Sequence, residues 1–96
     1  MGACQFESRA IGRTAREVFD SARDQAAWDY GHSGYTGTIA EKNSYRVISV
    51  PEGRDPMVYV KEIMSDYNHW VFNKWGPAGC VRLGEDEWLF FGMASS

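Results

Sequence analysis

The side chains that could act as nucleophiles are Ser33 and Cys80, and neither has the neighbours that nucleophilic catalysis requires. Ser33 lies in the run GHSGY, which resembles the G-x-S-x-G nucleophile elbow, but Tyr35 replaces the last glycine and the run follows a predicted helix instead of a strand. Cys80 could pair with His32 or His69, yet a buried strand cysteine and two loop histidines explain these residues more simply. The sequence therefore predicts no catalytic residues and a protein that is not an enzyme.

The histidines and cysteines are also too few and too widely spaced for a metal centre. The sequence has two of each, with no C-x-x-C or H-x-x-x-H spacing. We therefore predict no metal site and no cofactor, and we interpret Cys4 and Cys80 as thiols rather than as a disulfide.

The glycine-rich segment 31–38 is a candidate ligand-binding loop. Its three glycines permit a ligand to approach the backbone closely, and His32, Tyr35, Thr36 and Thr38 supply hydrogen-bonding groups and one ring. The segment is not a phosphate-binding P-loop, because no G-K-[ST] follows it. The alternative is that the glycines only permit the chain to turn between a helix and a strand, and both interpretations stay open at this point.

Two arginines and a tryptophan are the other candidate ligand-binding residues. Arg46 and Arg82 fall in predicted strands, which would hold their guanidinium groups in place for phosphates. Trp28, Tyr35, Trp70 or Trp75 could stack on a base. Each arginine could equally be a solvent-facing strand residue, and Trp75 could simply pack over Pro77.

Capping signals and hydrophobic periodicity place these candidates on secondary-structure elements. Ala3–Ile11 reads as a strand, and a capping box at Thr14–Glu17 begins a helix that ends near Tyr30, with Gly31 as its C′ residue. One stripe of this helix is apolar, and Trp28 falls outside it. The stripe consists of Ala15, Val18, Phe19, Ala22, Ala26 and Tyr30.

The middle of the chain predicts a strand and a second helix. Ile39–Lys42 could begin a strand that is more clearly predicted for Ser44–Val50. Asp55 is the expected N-cap of a helix with Pro56 at its first position. This helix should end near residues 66–69 and bury Met57, Val60, Ile63, Met64 and Tyr67.

The last third predicts a hairpin. Cys80–Leu83 and Trp88–Met93 read as strands joined by the acidic turn 84–87. The run Trp88-Leu89-Phe90-Phe91 has no polar alternation, which indicates a strand covered on both faces or used at an interface. The resulting order β-α-β-α-β-β predicts an α+β fold: a mostly antiparallel sheet of about four strands with two helices on one face.

Composition limits the possible partners and locations. Ten Lys and Arg residues against thirteen Asp and Glu give a net charge of −3, which argues against binding to long nucleic acids. No apolar run is long enough for a membrane span. The first 13 residues lack a hydrophobic stretch suited to a signal peptide, so we expect a cytoplasmic protein. No linker or repeat divides residues 1–96, which should form a single domain.

Aromatic residues are more numerous than so small a core needs. The chain has four Trp, five Tyr and five Phe. Trp28, Tyr35, Trp70 and Trp75 all fall outside the predicted apolar stripes and strands. These surplus rings favour a binding protein over an enzyme.

Four segments resemble a family of small phage and prophage proteins. They are TAREVF at 14–19, YGHSGYTGTIAEK at 30–42, KWGPAGC at 74–80 and WLFFGMASS at 88–96, which together span most of the chain. Small phage proteins of this kind often resemble antagonists of host defence. The resemblance suggests a Thoeris anti-defence sponge, which binds a cyclic ADP-ribose-type signal without cleaving it and does so as an oligomer. No ligand-contact residue is carried over from that family.

The leading hypothesis is therefore a non-enzymatic protein in the bacterial host cell that sequesters a cyclic nucleotide-type immune signal as a homo-oligomer. Arg46 and Arg82 would hold the phosphates, and Tyr35 or a tryptophan would stack on the base. The alternative is an inhibitor that binds a host defence nuclease complex, similar to an anti-CRISPR protein. It would need an exposed patch of Trp28, Trp70 and Trp88 with an acidic rim at residues 85–87.

Overall fold

A computed structural model describes residues 2–30 and 36–96 and confirms the predicted α+β class. Two α-helices and a four-stranded, mostly antiparallel sheet form the fold. Two short 3₁₀ helices, Ile39–Glu41 and Trp70–Phe72, complete the described elements. In chain order the strands and α-helices are β1 (Ala3–Ile11), α1 (Ala15–Tyr30), β2 (Tyr45–Val47), α2 (Pro56–Ile63), β3 (Ala78–Arg82) and β4 (Glu87–Ser95).

The bounds of β1 and α1 are those that the sequence predicted. The Thr14 hydroxyl accepts a hydrogen bond from the Glu17 backbone N–H at 3.2 Å, which confirms half of the predicted capping box. Trp28 is 84% exposed, as its position outside the apolar stripe predicted. The predicted C′ residue Gly31 lies outside the described residues.

The sheet has the order β1-β4-β3-β2. β4 pairs antiparallel with β1 on one side and with β3 on the other, so the predicted C-terminal hairpin is confirmed. β2 pairs parallel with β3, with Tyr45 opposite Ala78 and Val47 opposite Cys80. This parallel pair makes the sheet mixed.

The expected placement of both helices on one face is wrong, because α1 and α2 cover opposite faces. Phe90 belongs to the core under α1 together with Phe19, whereas Phe91 belongs to the core under α2 together with Ile63. The reason is the parallel direction of β1, β2 and β3. The β1-α1-β2 and β2-α2-β3 crossovers cross the sheet in opposite directions, and two right-handed crossovers that do so place their helices on opposite faces.

β4 is the central hydrophobic element of both cores. Trp88 and Phe90 face α1, and Leu89 and Phe91 face α2, as expected for a strand whose side chains alternate between faces. All four residues are buried. The prediction that the run Trp88–Phe91 is covered on both faces is confirmed.

The strands of the hairpin begin earlier than predicted, since β3 spans Ala78–Arg82 instead of 80–83 and β4 spans Glu87–Ser95 instead of 88–93. Further differences from the sequence predictions lie between residues 39 and 69. Residues 39–42 are not a strand, because the Thr38 side chain caps a 3₁₀ helix there. β2 spans only Tyr45–Val47 of the predicted Ser44–Val50. Asp55 caps α2 as expected, but this helix ends at Ile63 and leaves Tyr67 79% exposed instead of buried.

No helix in the described ranges is both long and apolar enough to cross a membrane.

A substitution at Gly79 tests how closely β3 packs against side chains on the face of the sheet that α2 covers. A Cβ at Gly79 would lie 2.8 Å from the Phe91 ring and 3.0 Å from Val71. We expect Gly79→Ala to lower the free energy of unfolding by about 1–3 kcal/mol through this overpacking, measured by urea denaturation. At Gly84 the nearest atom is 3.9 Å away, so Gly84→Ala is the control. Equal effects of the two variants would contradict the proposed packing.

Candidate functional site

A buried lysine connects two of the distinctive segments of the sequence, the run that ends at Lys42 and the turn around Trp75. Lys42 is 1% exposed, and its ammonium group donates hydrogen bonds to the carbonyl oxygens of Asn73 at 3.3 Å, Lys74 at 3.3 Å and Gly76 at 3.0 Å. The residues 73–76, here called the Trp75 turn, are therefore held by a side chain that follows the glycine-rich segment 31–38 in sequence. Three donors matched by three acceptors satisfy the full donor capacity of an ammonium group.

Burial of this lysine has an electrostatic cost. Desolvation lowers the pKa of Lys42 from 10.5 to about 8. The Phe6 ring, whose centroid lies 5.9 Å from the ammonium nitrogen, and the three carbonyl dipoles favour the charged form. A buried cation is tolerated only where such groups replace water. The Trp75 turn is thus held by an ammonium group whose desolvation on burial is unfavourable.

Thr36 and Thr38 lie on the segment that leads into Lys42, and their hydroxyl groups serve this local structure. The two hydroxyl oxygens are 2.8 Å apart. Thr36 donates to the Glu41 carboxylate from its backbone N–H at 3.1 Å and from its hydroxyl at 2.9 Å. Thr38 also accepts from the Ala40 N–H, so both threonines position the 3₁₀ helix that precedes Lys42.

The Trp75 turn presents an aromatic ring and a cation to solvent. Trp75 is 64% exposed. The Lys74 ammonium lies 5.2 Å from the centroid of the Trp75 ring and donates to the Gly2 carbonyl at 3.2 Å. The turn is further defined by the Asn73 side chain, which accepts from the Trp75 N–H at 3.0 Å. Ring and ammonium together can bind a group that is both planar and anionic.

Both segments meet at the end of the sheet where β1 begins and β4 ends. Gly37 donates its N–H to the Ser95 carbonyl at 2.8 Å and has a φ of +73°, which favours glycine. A Cβ at Gly37 would lie 3.0 Å from the Cβ of Cys4. This glycine therefore permits the glycine-rich segment to lie against the sheet. At Gly37 the glycine therefore has the backbone role that the second interpretation of this segment predicted.

The structure brings only some of the predicted ligand-binding residues together. Thr36 and Thr38 are adjacent, and Trp75 is joined to their segment through Lys42. His32 and Tyr35 lie outside the described residues.

Arg46 and Arg82 do not converge within the chain. Arg46 pairs with Gly79 on β3, on the α2 face, where its guanidinium group stacks at 5.2 Å on the ring of Trp70. Arg82 lies on the α1 face near the hairpin turn, 5.1 Å from the Trp88 ring. Its guanidinium group donates to the carbonyl oxygens of Gly84 and Glu85, so it stabilises that turn. The two arginines therefore lie on opposite faces of the sheet and do not form one binding site within the chain.

Neither Cys80 nor His69 is placed for nucleophilic chemistry. Cys80 is fully buried, and desolvation raises the pKa of its thiol to about 12, which disfavours the reactive thiolate. The Nδ1 atom of His69 accepts a hydrogen bond from the Val71 N–H at 3.2 Å and caps the second 3₁₀ helix. Within residues 2–30 and 36–96, no three His, Cys, Asp or Glu side chains come close enough to hold a metal ion.

The ring patch that a protein-binding inhibitor would need is not formed. Trp88 is buried against α1 and donates its indole N–H to the Gly12 carbonyl at 3.0 Å. Trp70 is half-buried between His69 and Arg46. Trp28 is therefore the one highly exposed ring of the three.

Comparisons with known proteins give no match: no protein-family model, no curated protein and no solved structure is significantly similar to this chain. The resemblance to phage proteins, and the function that it implies, stay predictions.

Lys42→Met tests the contribution of the buried ammonium group to stability. The variant keeps most of the aliphatic volume but leaves three carbonyl oxygens without their donor. We expect a loss of about 2–3 kcal/mol in the free energy of unfolding, measured by chemical denaturation. Lys61→Met, which removes an exposed lysine from α2, is the matched control and should change stability little. A loss that is no larger for Lys42→Met would contradict the assigned contacts.

The lowered pKa of Lys42 also predicts how stability depends on pH. Between pH 8 and pH 10.5 the unfolded chain retains a proton that folded Lys42 has released, so rising pH favours the folded state. The free energy of unfolding of the wild type should therefore rise relative to Lys42→Met, by up to about 1.4 kcal/mol per pH unit. Below pH 8 the difference should be constant. A difference that stays constant above pH 8 as well would rule out the lowered pKa.

Proposed function

We propose that this chain is a non-enzymatic phage anti-defence protein that binds and sequesters a cyclic nucleotide-type immune signal, either a cyclic ADP-ribose isomer or a cyclic oligonucleotide. The Trp75 turn is the centre of the binding surface. The indole of Trp75 stacks on the base, and the Lys74 ammonium contacts a phosphate.

The observation that carries this proposal is an exposed ring held by a buried cation. An indole that is 64% exposed contributes little to a core, yet three hydrogen bonds from Lys42 hold the turn that presents it. A preorganised ring loses little conformational entropy when a ligand binds. Such a preorganised arrangement is favourable for binding.

The cation beside the ring supports a nucleotide rather than a neutral aromatic ligand. An ammonium group has three N–H donors, and the bond from Lys74 to the Gly2 carbonyl uses one of them. Lys74 can therefore bind a phosphate oxygen while it stays near the Trp75 ring. In this proposal Lys74 takes the role that the sequence suggested for Arg46 and Arg82, which lie on opposite faces.

Sequestration without cleavage agrees with the surroundings of the candidate nucleophile. Cys80 is fully buried and its pKa is raised to about 12. Thr36 and Thr38 are occupied in the network with Glu41, so they support the loop instead of attacking a ligand.

Titration calorimetry with cyclic ADP-ribose isomers and cyclic oligonucleotides tests the proposal. We expect the wild type to bind one of these ligands and Trp75→Ala to bind it about tenfold to a hundredfold more weakly, because the stacked base is lost. Lys74→Gln should weaken binding and reduce its salt dependence, because a phosphate contact is removed.

Trp28→Ala is the matched control, since it removes another exposed tryptophan far from the Trp75 turn in sequence and should leave the affinity unchanged. Trp75→Ala should unfold at the same denaturant concentration as the wild type, which separates a loss of binding from a loss of stability. The absence of binding heat with every ligand of these two classes would refute the proposal. In that case, the capture of a host nuclease complex through Trp28 would favour a protein-binding inhibitor.

A further inference from the structure

The longest unpaired edge in the described structure belongs to β1. β1 is the outer strand of the sheet and runs for nine residues, whereas β2 at the opposite edge has three. No described residue pairs with the outer side of β1. A long exposed edge is a template for pairing with another strand unless the protein blocks it.

Hydrogen bonding to β4 determines which backbone groups of β1 point outward. Gly2 and Ser96 exchange two hydrogen bonds of 3.1 Å, and Gly12 donates to the Asp86 carbonyl at 2.8 Å. In an antiparallel ladder these bonded pairs recur at every second residue, so the even-numbered residues of β1 bond to β4. The N–H and C=O groups of the odd-numbered residues, Ala3 to Ile11, therefore point away from the sheet.

We infer that the β1 edge pairs with the β1 edge of a second copy, which joins two protomers into one continuous eight-stranded sheet. An antiparallel register with Ser8 opposite Ser8 of the second copy places each Glu7 opposite Arg9 of the other protomer. All outward bonds then fall on odd-numbered residues, as the ladder requires. The register that places Glu7 opposite Glu7 would set two like charges together.

The surroundings of Arg9 favour this arrangement. Its guanidinium group lies 3.4 Å from the Glu87 carboxylate of the same protomer, and Glu7 and Arg9 are both exposed on the face that α2 leaves uncovered at β1. In the paired sheet each Arg9 lies between Glu87 of its own protomer and Glu7 of the second copy. Two such clusters, related by twofold symmetry, make the edge self-complementary in charge.

The flank of α1 beside this edge supplies an apolar contact. A groove of about 370 Å³ lies between β1 and α1, and its lining includes Ser8, Ser21 and Gln25. Trp28 follows Ser21 and Gln25 at i+7 and i+3, so it lies on the same flank of the helix, and it is 84% exposed. A second copy paired at β1 brings its own α1 alongside this flank and covers Trp28. The inference is independent of what the Trp75 turn binds.

Complementary charge variants test the inference by analytical ultracentrifugation. We expect a dimer for the wild type and at least about tenfold weaker dimerisation for Glu7→Arg and for Arg9→Glu, because each variant sets two like-charged pairs opposite each other. An equal mixture of the two variants should form a heterodimer. In it the introduced arginine faces the introduced glutamate, and the native Arg9 of one protomer faces the native Glu7 of the other. Asp20→Arg, an equal change of charge on α1, is the control and should leave the dimer intact.

Cysteine cross-linking tests the register in a Cys4→Ser background. Ser8→Cys should form a disulfide-linked dimer on mild oxidation, since unbonded antiparallel pairs have Cα atoms about 4.5 Å apart, within disulfide range. Ala10→Cys, on the same face of β1, should not cross-link to itself. A wild type that stays monomeric at millimolar concentration would overturn the inference. So would a dimer that is indifferent to both charge variants, or equal cross-linking of the two cysteine variants.

Discussion

The contact between the Lys42 ammonium and three carbonyl oxygens is the interaction on which the candidate site depends. It connects residues that are more than 30 positions apart in sequence, and it is buried against Phe6. The cost of burying the charge lowers the pKa of Lys42 to about 8, and the three hydrogen bonds of the ammonium group offset part of that cost.

The sheet provides the rigid base for this contact. β4 is buried on both faces, with Phe90 under α1 and Phe91 under α2, so the strand that carries Ser95 is fixed from both sides. Gly37 bonds to Ser95, and Lys74 bonds to Gly2 at the start of β1. The two segments of the candidate site are therefore attached to the same end of the sheet, and a rigid element of this kind holds binding residues in place.

Local signals predicted the elements well, and long-range pairing limited the rest. The extents of β1 and α1 were predicted closely because strand alternation, the Thr14 cap and the apolar stripe are signals local to these elements. The placement of both helices on one face was wrong because it depends on β2 running parallel to β3, for which no local pattern exists. The positions of Arg46 and Arg82 within their strands do not show whether the two side chains share a face of the sheet. That follows only from the register between the strands, which the sequence does not reveal.

The candidate site was predictable only in part for the same reason. Trp75 could be recognised as a surplus ring, and Thr36 and Thr38 as part of an unusual segment. Lys42 was missed because a lysine is normally exposed, and its acceptors are carbonyl oxygens of residues 31 to 34 positions away. Backbone acceptors have no signature in the sequence, since every residue carries one. The closest sequence signal for Lys42 was its place at the end of the distinctive run YGHSGYTGTIAEK at 30–42.

The most direct test is a nuclear magnetic resonance titration of the Lys42 side chain, with the Trp75 indole resonance followed in the same samples. We expect Lys42 to titrate near pH 8 and the Trp75 signal to change with the same midpoint, because the ammonium group holds the turn that carries the ring. A Lys42 that titrates at the ordinary value of 10.5, with a Trp75 signal that does not follow it, would contradict this role of the buried lysine.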